Sequence, residues 1–583
     1  MYNNYIYKHR SLFLFVSIAF IIILCFIAYG EVLKYYFTSI DAFPLLLTGK
    51  LDSINDLYRI FSLPLGGGFP TGIYYRPISE LSYGIDYILW GKNPMGYHLT
   101  NILLHLANSI LGFFIAYFLF EKHNKNLFYA FTTSVLFLLS PLSVALVPSI
   151  SRRQDMLATF LLILSLLSFA RVRQIERGRI VWYMLSLFFG FLAIFAKESS
   201  FVLPPLVFLF SFIFDEPGNY GKRAVRAMKY SLPFACFVIL NTVLHIYLFG
   251  YWGARVSMSI YQHIAAAAKS LFFLAAPLDL LYLSISSKVW ILLVLFLLIS
   301  CYTLYLIFKL SIRGLLEKVL KEELRGYTYL ILIVLTYMII FTISGKSADF
   351  YHYLPNMALI LLMVMALSGS FIKKPVSILI KSIPAIFILY NIVYSPILTN
   401  YRAWENSSKI TRQIIKATEK ALDFDRKASH IYLINWPGFI GPLDSGLPGR
   451  RATILVRYSM DAWARWSGVN QNKNVKFIVI SLLNFPTDDI ISTLTYTVSD
   501  QKITASVTGS YISLPRFQHE GETPYEGDVP FDFSIDRSKR RAKLEFIRKL
   551  GAGERIFIYD TNGIRIISNN LETGANEQKT ISF

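Results

Sequence analysis

The sequence contains little cysteine. Its three cysteines, Cys25, Cys236 and Cys301, all lie inside apolar runs, so the chain offers neither a disulfide framework nor a cysteine metal site. The region after residue 400 contains no cysteine, and its own core must therefore stabilise it. This region also lacks a nucleophile elbow, a phosphate-binding glycine loop and zinc-ligand spacing. We therefore expect it to bind, pack or assemble rather than to carry catalytic groups.

Acidic residues are scarce as well. The chain has 37 Asp and Glu against 57 Lys and Arg, which gives a net charge of +20. Such a charge can indicate nucleic-acid binding. Here, however, most basic residues lie in short segments between apolar runs, as the positive-inside bias of membrane proteins predicts. We therefore expect membrane lipids, and no nucleic acid, as partners.

Apolar residues are abundant. Hydrophobic residues make up 54% of the chain, and the mean hydropathy is +0.48. Many runs approach the roughly 20 residues that cross a bilayer, and they predict about eleven transmembrane helices. These spans cover residues 12–29, 99–120, 127–147, 156–170, 180–196, 201–214, 230–249, 290–308, 327–343, 354–371 and 376–394. Residues 260–283 are less apolar and predict a re-entrant or interfacial helix.

The charge distribution predicts the orientation. With residues 260–283 on the outer face, the basic connections all fall on the other side, which we interpret as cytoplasmic together with the N-terminus. These connections are residues 8–10, 122–125, 171–179, 222–229, 309–325 and 373–374. The prediction is a transmembrane domain at 1–399, with its first outer loop at 30–98, and a soluble α/β or β-rich domain at 400–583 on the outer face.

The predicted first outer loop is polar but rich in Tyr, Trp, Gly and Pro, a composition typical of a binding surface. Asp41 follows the first apolar run by about a dozen residues, where a carboxylate can act as a general base or remain a solvated loop residue. Two further outer connections, SISRRQD at 149–155 and AKESS at 196–200, place charges at membrane depth. Such charges are costly and are candidates for function, although interfacial anchoring or ion pairing also explains them.

The second predicted span repeats polar residues at a seven-residue spacing, with His98 and His105, and Asn101 and Asn108, on one helix face. This stripe favours hydrogen-bonded helix packing over a metal site. We predict no metal ligands and no cofactor. Divalent-metal dependence is left open, because the outer loops contain acids and histidines without a metal-ligand spacing.

Four segments, taken in order, resemble a known family. They are YYRP followed by LSYGIDYILWGKNPMGYHLTNILLHLAN (within 74–108), SPLSVALVPSISRRQDMLAT (140–159), AIFAKESSFVLPP (193–205) and DFYHYLPNMAL (349–359). Together they resemble the polytopic GT-C glycosyltransferases. The closest pattern is that of the protein O-mannosyltransferase-like enzymes, including those with tetratricopeptide repeats. The resemblance spans roughly residues 41–367.

The resemblance implies a membrane enzyme that transfers a sugar from a polyprenyl- or dolichyl-phosphate carrier to an acceptor hydroxyl on the outer face, with inversion. The family's first-loop acid falls on Asp41, but the second acid that often follows it is Ala42 here. A lipid-phosphate leaving group requires positive charge. The candidate phosphate ligands are Arg152, Arg153 and Lys197, followed by Arg76, Lys346 and His352.

Other outer-face residues have supporting roles in this hypothesis. Asp155 and Glu198 would orient the cations beside them. Five aromatic residues are candidates for stacking on the sugar or on prenyl units, namely Tyr75, Trp90, Tyr97, Tyr351 and Tyr353.

Two alternatives stay open. The first is a transporter or flippase of a lipid-linked glycan, although the sequence shows none of the internal repeats common in transporters. The second is a catalytically inactive assembly subunit, which Ala42 keeps under consideration.

The chain also lacks a tetratricopeptide period after the last span and the WWDYG-type signature of oligosaccharyltransferases. The residues do not define the sugar or the acceptor, which is a protein, a lipid or a polysaccharide. We expect a bacterial inner membrane, with the C-terminal domain in the periplasm.

Overall fold

The structure is a computed structural model in which most of the chain is described. The described residues are 2–39, 41–68, 74–120, 126–175, 177–215, 219–250, 324–344, 349–368, 374–398, 402–424, 427–441, 452–455, 457–469, 475–485, 494–499, 502–507, 511–513, 530–536, 541–560, 562–569 and 576–582, with short pieces between 259 and 270 and at 320–321.

Helices dominate the described residues before position 400. They are α1 (Tyr2–Tyr29), α2 (Ala42–Thr48), α3 (Ile54–Ser62), α4 (Pro77–Trp90), α5 (Pro94–Leu119), α6 (Asn126–Leu138), α7 (Arg153–Gln174), α8 (Arg179–Ala196), α9 (Leu203–Phe214), α10 (Tyr220–Phe249), α11 (Arg325–Ser344), α12 (Tyr353–Ser368) and α13 (Lys374–Val393). Two further helices follow, α14 (Arg402–Phe424) and α15 (Arg457–Ser467).

Seven of the described helices are long and apolar enough to cross a bilayer, and three shorter apolar helices lie at 198–214, 353–367 and 384–393. Each predicted span except 290–308 overlaps one of these helices. The span at 290–308 and most of the predicted re-entrant helix at 260–283 lie outside the described residues. The prediction of a multi-pass, mainly helical membrane protein is confirmed.

The polar residues on one face of α5 form hydrogen bonds to neighbouring segments of the bundle. Asn101 donates to the Ser149 carbonyl at 3.0 Å, and Asn108 donates to the Met156 carbonyl at 2.9 Å. His105 lies 2.6 Å from the hydroxyl of Tyr353 on α12. His98, Asn101, His105 and Asn108 are all fully buried. This geometry matches the helix-packing interpretation, in which buried polar groups pair across helices.

The C-terminal region contains the predicted sheets. The strands are β1 (His430–Ile434), β2 (Trp436–Ile440), β3 (Ala452–Thr453), β4 (Lys476–Val479), β5 (Leu482–Phe485), β6 (Leu494–Ser499), β7 (Lys502–Val507), β8 (Tyr511–Ser513), β9 (Phe531–Asp536), β10 (Arg541–Phe546), β11 (Glu554–Asp560), β12 (Gly563–Asn569) and β13 (Asn576–Ser582). They form three sheets with the orders β13-β12-β11-β1-β4, β3-β2-β5-β8 and β6-β7-β10-β9. Strand β1 is parallel to both β4 and β11.

The C-terminal region also contacts the helical bundle. Helix α14 lies along β12 and β2, and helix α15 lies against both β4 and the short helix α2. Since α2 begins directly after Asp41, this packing brings the C-terminal region next to the segment in which the sequence places its candidate base.

Candidate functional site

Asp41 lies at a strained turn. It is half-buried and directly precedes α2. Two residues earlier, Ser39 has φ of +106°, a conformation that residues with a side chain rarely adopt. The hydroxyl of Ser39 donates to Ser151 at 2.6 Å, and both serines are buried. This bond joins the Asp41 segment to the short 3₁₀ turn Ile150–Arg152. Strained residues of this kind concentrate at functional sites.

Arg76 forms a bidentate ion pair at the start of α4. Its Nε lies 2.8 Å and its Nη2 2.5 Å from Oε2 of Glu198. Its Nη1 donates to the side chain of Gln154, and its guanidinium lies 4.3 Å from the ring centroid of Tyr74. Because bidentate pairs fix the plane of a guanidinium, Glu198 holds Arg76 in one orientation.

Lys197 forms the second ion pair, with Asp155 at the start of α7. Both side chains are about 6% exposed, and the Lys197 ammonium lies 5.2 Å from the ring centroid of Tyr351. Burial lowers the pKa of Lys197 to about 8, an effect that Asp155 opposes and that the nearby charges of Arg76 and Arg152 reinforce. Arg76, Arg152 and Lys197 thus form one group, which we call the cation cluster.

The pairing within the cluster differs from the prediction. The sequence hypothesis assigned Asp155 and Glu198 the role of orienting the cations beside them. Instead, Asp155 of α7 pairs with Lys197, and Glu198 pairs with Arg76 of α4. These contacts join segments 42 and 122 residues apart. The second carboxylate oxygen of Asp155 is buried and has no hydrogen-bond partner among the described residues.

The structure does not support the predicted phosphate contact of Arg153. The side chain is fully buried, and Nη2 lies 2.5 Å from the carboxylate of Asp86. Nε donates to Asn101 at 3.0 Å, Nη1 to the Ser82 carbonyl at 3.2 Å and Nη2 to the Tyr97 carbonyl at 2.9 Å. Each guanidinium nitrogen therefore donates within the protein, and Arg153 joins α4, α5 and α7.

Most of the predicted stacking residues lie in the core. Tyr75, Tyr97 and Tyr353 are at most 5% exposed. Tyr75 contacts aromatic rings of α8 and α10, and the Tyr97 hydroxyl donates to a backbone carbonyl at 2.8 Å. Trp90 is half-buried against Gly96, where a methyl group would collide with its ring. Only Tyr351, also half-buried, lies beside a cation of the cluster among these five residues.

Of the two remaining candidate phosphate ligands, the structure describes His352. His352 is fully buried, with its ring 4.8 Å from that of Phe341. Lys346 lies outside the described residues. His98, Asn101 and His105 take part in helix packing, as described above. Across the part of the chain that the structure describes, no three His, Cys, Asp or Glu side chains are grouped so as to hold a metal ion.

Sequence reasoning missed Glu80 on α4. This carboxyl is 3% exposed and accepts a hydrogen bond from the Gly66 amide at 3.3 Å. Gly66 and Gly67 have φ of +60° and +73°, which glycine adopts without strain. Burial raises the pKa of Glu80 to about 8. The helical spacing that places Glu80 on the same face as Tyr83 and Gly84 is the signal that could have predicted its burial.

The matches to known protein sequences cover part of the chain. No protein-family profile matches it. It is 31% identical over 136 residues to Protein O-mannosyl-transferase TMTC1 of Homo sapiens, which covers 22% of this chain and 15% of that protein. It is 28% identical over 141 residues to TMTC4 of Homo sapiens, covering 22% and 19%. With Tmtc1 of Drosophila melanogaster the identity is 26% over 183 residues, covering 30% and 20%.

Two solved structures align with this chain at low sequence identity and low TM-score. ArnT from Cupriavidus metallidurans aligns with a TM-score of 0.41 and 12% identity over 82% of this chain and 93% of that chain. Arabinofuranosyltransferase AftD from Mycobacteria aligns with a TM-score of 0.33 and 12% identity over 94% and 40%. The sequence matches span about a fifth or less of the length of the relatives named above. Over its matched segment, this multi-pass membrane protein is similar to the protein O-mannosyltransferases, which confirms the resemblance that its motifs indicate.

Proposed function

We propose that this chain is a membrane glycosyltransferase of the GT-C type. It moves a sugar from a polyprenyl-phosphate carrier to an acceptor hydroxyl on the extracytoplasmic face, with inversion at the anomeric carbon. The observation that carries this proposal is the cation cluster, which is held by carboxylates next to the Asp41 segment. The names of the sequence relatives support the same reaction class.

The cation cluster fits a lipid-phosphate leaving group. As the bond between the anomeric carbon and the phosphate oxygen breaks, negative charge grows on the phosphate, and positioned cations stabilise it. Glu198 fixes the plane of Arg76, and Asp155 fixes the ammonium of Lys197. A lysine ammonium has three donors, so Lys197 can contact Asp155 and a phosphate oxygen at the same time. Arg76, which the sequence hypothesis ranked below Arg152, Arg153 and Lys197, is therefore proposed as a main phosphate ligand. Arg153 is no longer proposed as a phosphate ligand.

Asp41 fits the role of general base. In an inverting displacement, the acceptor oxygen attacks the anomeric carbon from the face opposite the phosphate and loses its proton to a base. Asp41 accepts that proton, the sugar transfers in one step, and the lipid phosphate leaves with the electron pair of the broken bond. The bond between Ser39 and Ser151 brings the Asp41 segment next to the turn that contains Arg152. Base and cations therefore lie on neighbouring segments.

The proposed reaction also requires a particular orientation of the protein in the membrane. The N-terminus lies in the cytoplasm, and residues 400–583 form a domain that packs against the bundle on the same face as the site, in the periplasm of a bacterial inner membrane. The basic connections predicted from the sequence support this orientation.

A donor panel tests the proposal. The full chain is placed in nanodiscs with radiolabelled polyprenyl-phosphate sugars, and release of polyprenyl phosphate is measured. We expect Asp41→Asn and Lys197→Ala each to lower release by about 10²-fold or more. The matched control is Asp52→Asn, which changes an exposed aspartate of the same loop that pairs with Lys50 at 2.6 Å. This control should keep the wild-type rate.

Two results would contradict the proposal. One is equal release by wild type and Asp41→Asn. The other is the absence of release from every donor, together with movement of a labelled lipid-linked glycan between leaflets in proteoliposomes, which would establish the transport alternative.

A further inference from the structure

The C-terminal region covers the segment that contains Asp41. Trp466, near the end of α15, is 3% exposed, and its ring lies 5.2 Å from that of Phe37 and 5.9 Å from that of Phe43. Phe37 and Phe43 are 1% exposed and lie on either side of Asp41 in the chain. Edge-to-face and tilted aromatic contacts at these distances are attractive and directional. Trp466 therefore fixes the chain both before and after the candidate base.

Other contacts extend this interface. Lys92, which follows α4, donates to the Ser467 carbonyl at 2.7 Å, and its ammonium lies 5.7 Å from the Trp466 ring. On the other flank, Ser408 of α14 accepts a hydrogen bond from the Tyr36 amide at 2.7 Å. The C-terminal region thus contacts Tyr36, Phe37 and Phe43 through two helices.

The strained backbone at Ser39 explains why these contacts with the C-terminal region are needed. Ser39 keeps its unfavourable backbone only while its surroundings prevent relaxation. Ser151 restrains it from the bundle side. Phe37 and Phe43, held by Trp466, restrain its two ends from the C-terminal side. Loss of Trp466 removes these aromatic contacts at both ends, which lets the carboxylate of Asp41 shift relative to the cation cluster.

We propose that the C-terminal region completes the transfer site and that Trp466 is a positioning residue, which acts on the reaction through Phe37, Phe43 and Asp41. This inference rests on the proposed function, in which Asp41 is the base. It predicts a specific kinetic signature. Trp466→Ala should lower kcat by about tenfold to a hundredfold, because a small misplacement of a reacting group has effects of this size. The donor KM should stay within about twofold, because the cations that bind the donor lie on other segments.

The controls separate positioning from folding. Trp466→Phe keeps an aromatic ring and should restore part of the lost kcat. Trp463→Phe is the matched control, since Trp463 is a buried tryptophan of the same helix whose ring lies 6.5 Å from Phe477 of the sheet. This control should keep the wild-type kcat. In the Asp41→Asn background, Trp466→Ala should cause no further loss, because residues that act through one group are not additive.

A second readout does not depend on turnover. Amide hydrogen exchange should become faster at residues 36–48 in Trp466→Ala and, to a smaller degree, in Trp466→Phe. Exchange in α7 should not change. If Trp466→Ala fails to fold, Trp466→Phe and its exchange pattern still decide the question.

The outcomes distinguish the two proposals. A wild type that consumes no donor removes the proposed function. An active wild type with an equally active, folded Trp466→Ala overturns only the positioning role. The positioning role is also overturned if Trp466→Ala slows Asp41→Asn as much as it slows wild type, or if Trp466→Phe exchanges like wild type and has the same kcat.

Discussion

We expect the buried ammonium of Lys197 to make the proposed transfer sensitive to alkaline pH. Burial lowers the pKa of this group to about 8, and the proposed phosphate contact needs its charged form. At donor concentrations well below KM, we therefore expect kcat/KM to fall as the pH rises through about 8, because kcat/KM reports the pKa values of the donor-free enzyme. Around pH 9 about one tenth of the molecules keep the charge, and loss of one such donor lowers a rate by about 10²–10³-fold. Charge loss then explains about a tenfold lower kcat/KM at pH 9 than at pH 7.

Lys197→Arg is the informative perturbation. An arginine guanidinium stays charged above pH 12, so the alkaline fall near pH 8 should disappear, even if the different shape of the guanidinium lowers kcat at pH 7. The assay is release of polyprenyl phosphate in nanodiscs from about pH 6.5 to pH 10. Lys50→Arg, which changes a lysine in the first loop that pairs with Asp52, is the control and should keep the wild-type profile.

Unfolding does not explain the expected fall. A lysine whose pKa is lowered in the folded state stabilises the fold fully above its unfolded value of 10.5, and this contribution is lost as the pH falls through about 8. For this group, stability therefore rises with pH over the range in which activity falls. The reasoning is refuted if Lys197→Arg retains the same alkaline fall as wild type, since another group would then control it.

Three further predictions concern buried ionisable groups. Arg153→Met leaves the carboxylate of Asp86 buried without its ion-pair partner, which costs about 3–5 kcal/mol. The thermal midpoint should drop while the donor KM of the folded protein stays constant, and an unchanged midpoint would contradict the structural role. Glu80 has a raised pKa, and its contribution to stability is present below 4.5 and lost as the pH rises through about 8. Glu80→Gln should therefore melt like wild type at pH 5 and above it at pH 9, and parallel melting curves at all pH values would contradict this. Arg76→Ala and Glu198→Ala should each slow donor cleavage, and the double variant should be no slower than Arg76→Ala, because Glu198 acts by orienting Arg76. Fully additive losses would show independent roles.

The transmembrane helices could be predicted because their signal is local. The length of each apolar run sets a span, and the seven-residue repeat of His98 and His105 sets one face of α5. The short β-rich runs after residue 430 indicate strands for the same reason. The order of these strands in three sheets depends on contacts between distant segments, and no local pattern contains it.

The partners of the charges could not be predicted. Arg152 and Arg153 are adjacent, yet Arg152 is half-buried near Lys197 while Arg153 is fully enclosed beside Asp86. Successive residues at a helix start point about 100° apart, and the sequence does not show which of them faces the core. The sequence hypothesis therefore treated both arginines as equivalent.

The contact of Trp466 with the first loop lay equally beyond sequence reasoning. The pair Lys92 and Ser467 belongs to segments 375 residues apart. Two aromatic residues beside Asp41 and a tryptophan in an amphipathic helix are each common features. Only the folded chain shows that they meet beside Asp41.

The most direct test of the central claim compares donor binding with turnover in one variant. Equilibrium binding of the polyprenyl-phosphate sugar and its rate of conversion are measured for wild type and Asp41→Asn in the same nanodiscs. If Asp41 is the base and the cation cluster binds the phosphate, the donor Kd stays within about twofold while turnover falls by about 10²–10⁴-fold. Equal turnover by the two proteins, or a loss of donor binding large enough to explain the entire fall in rate, would contradict the account.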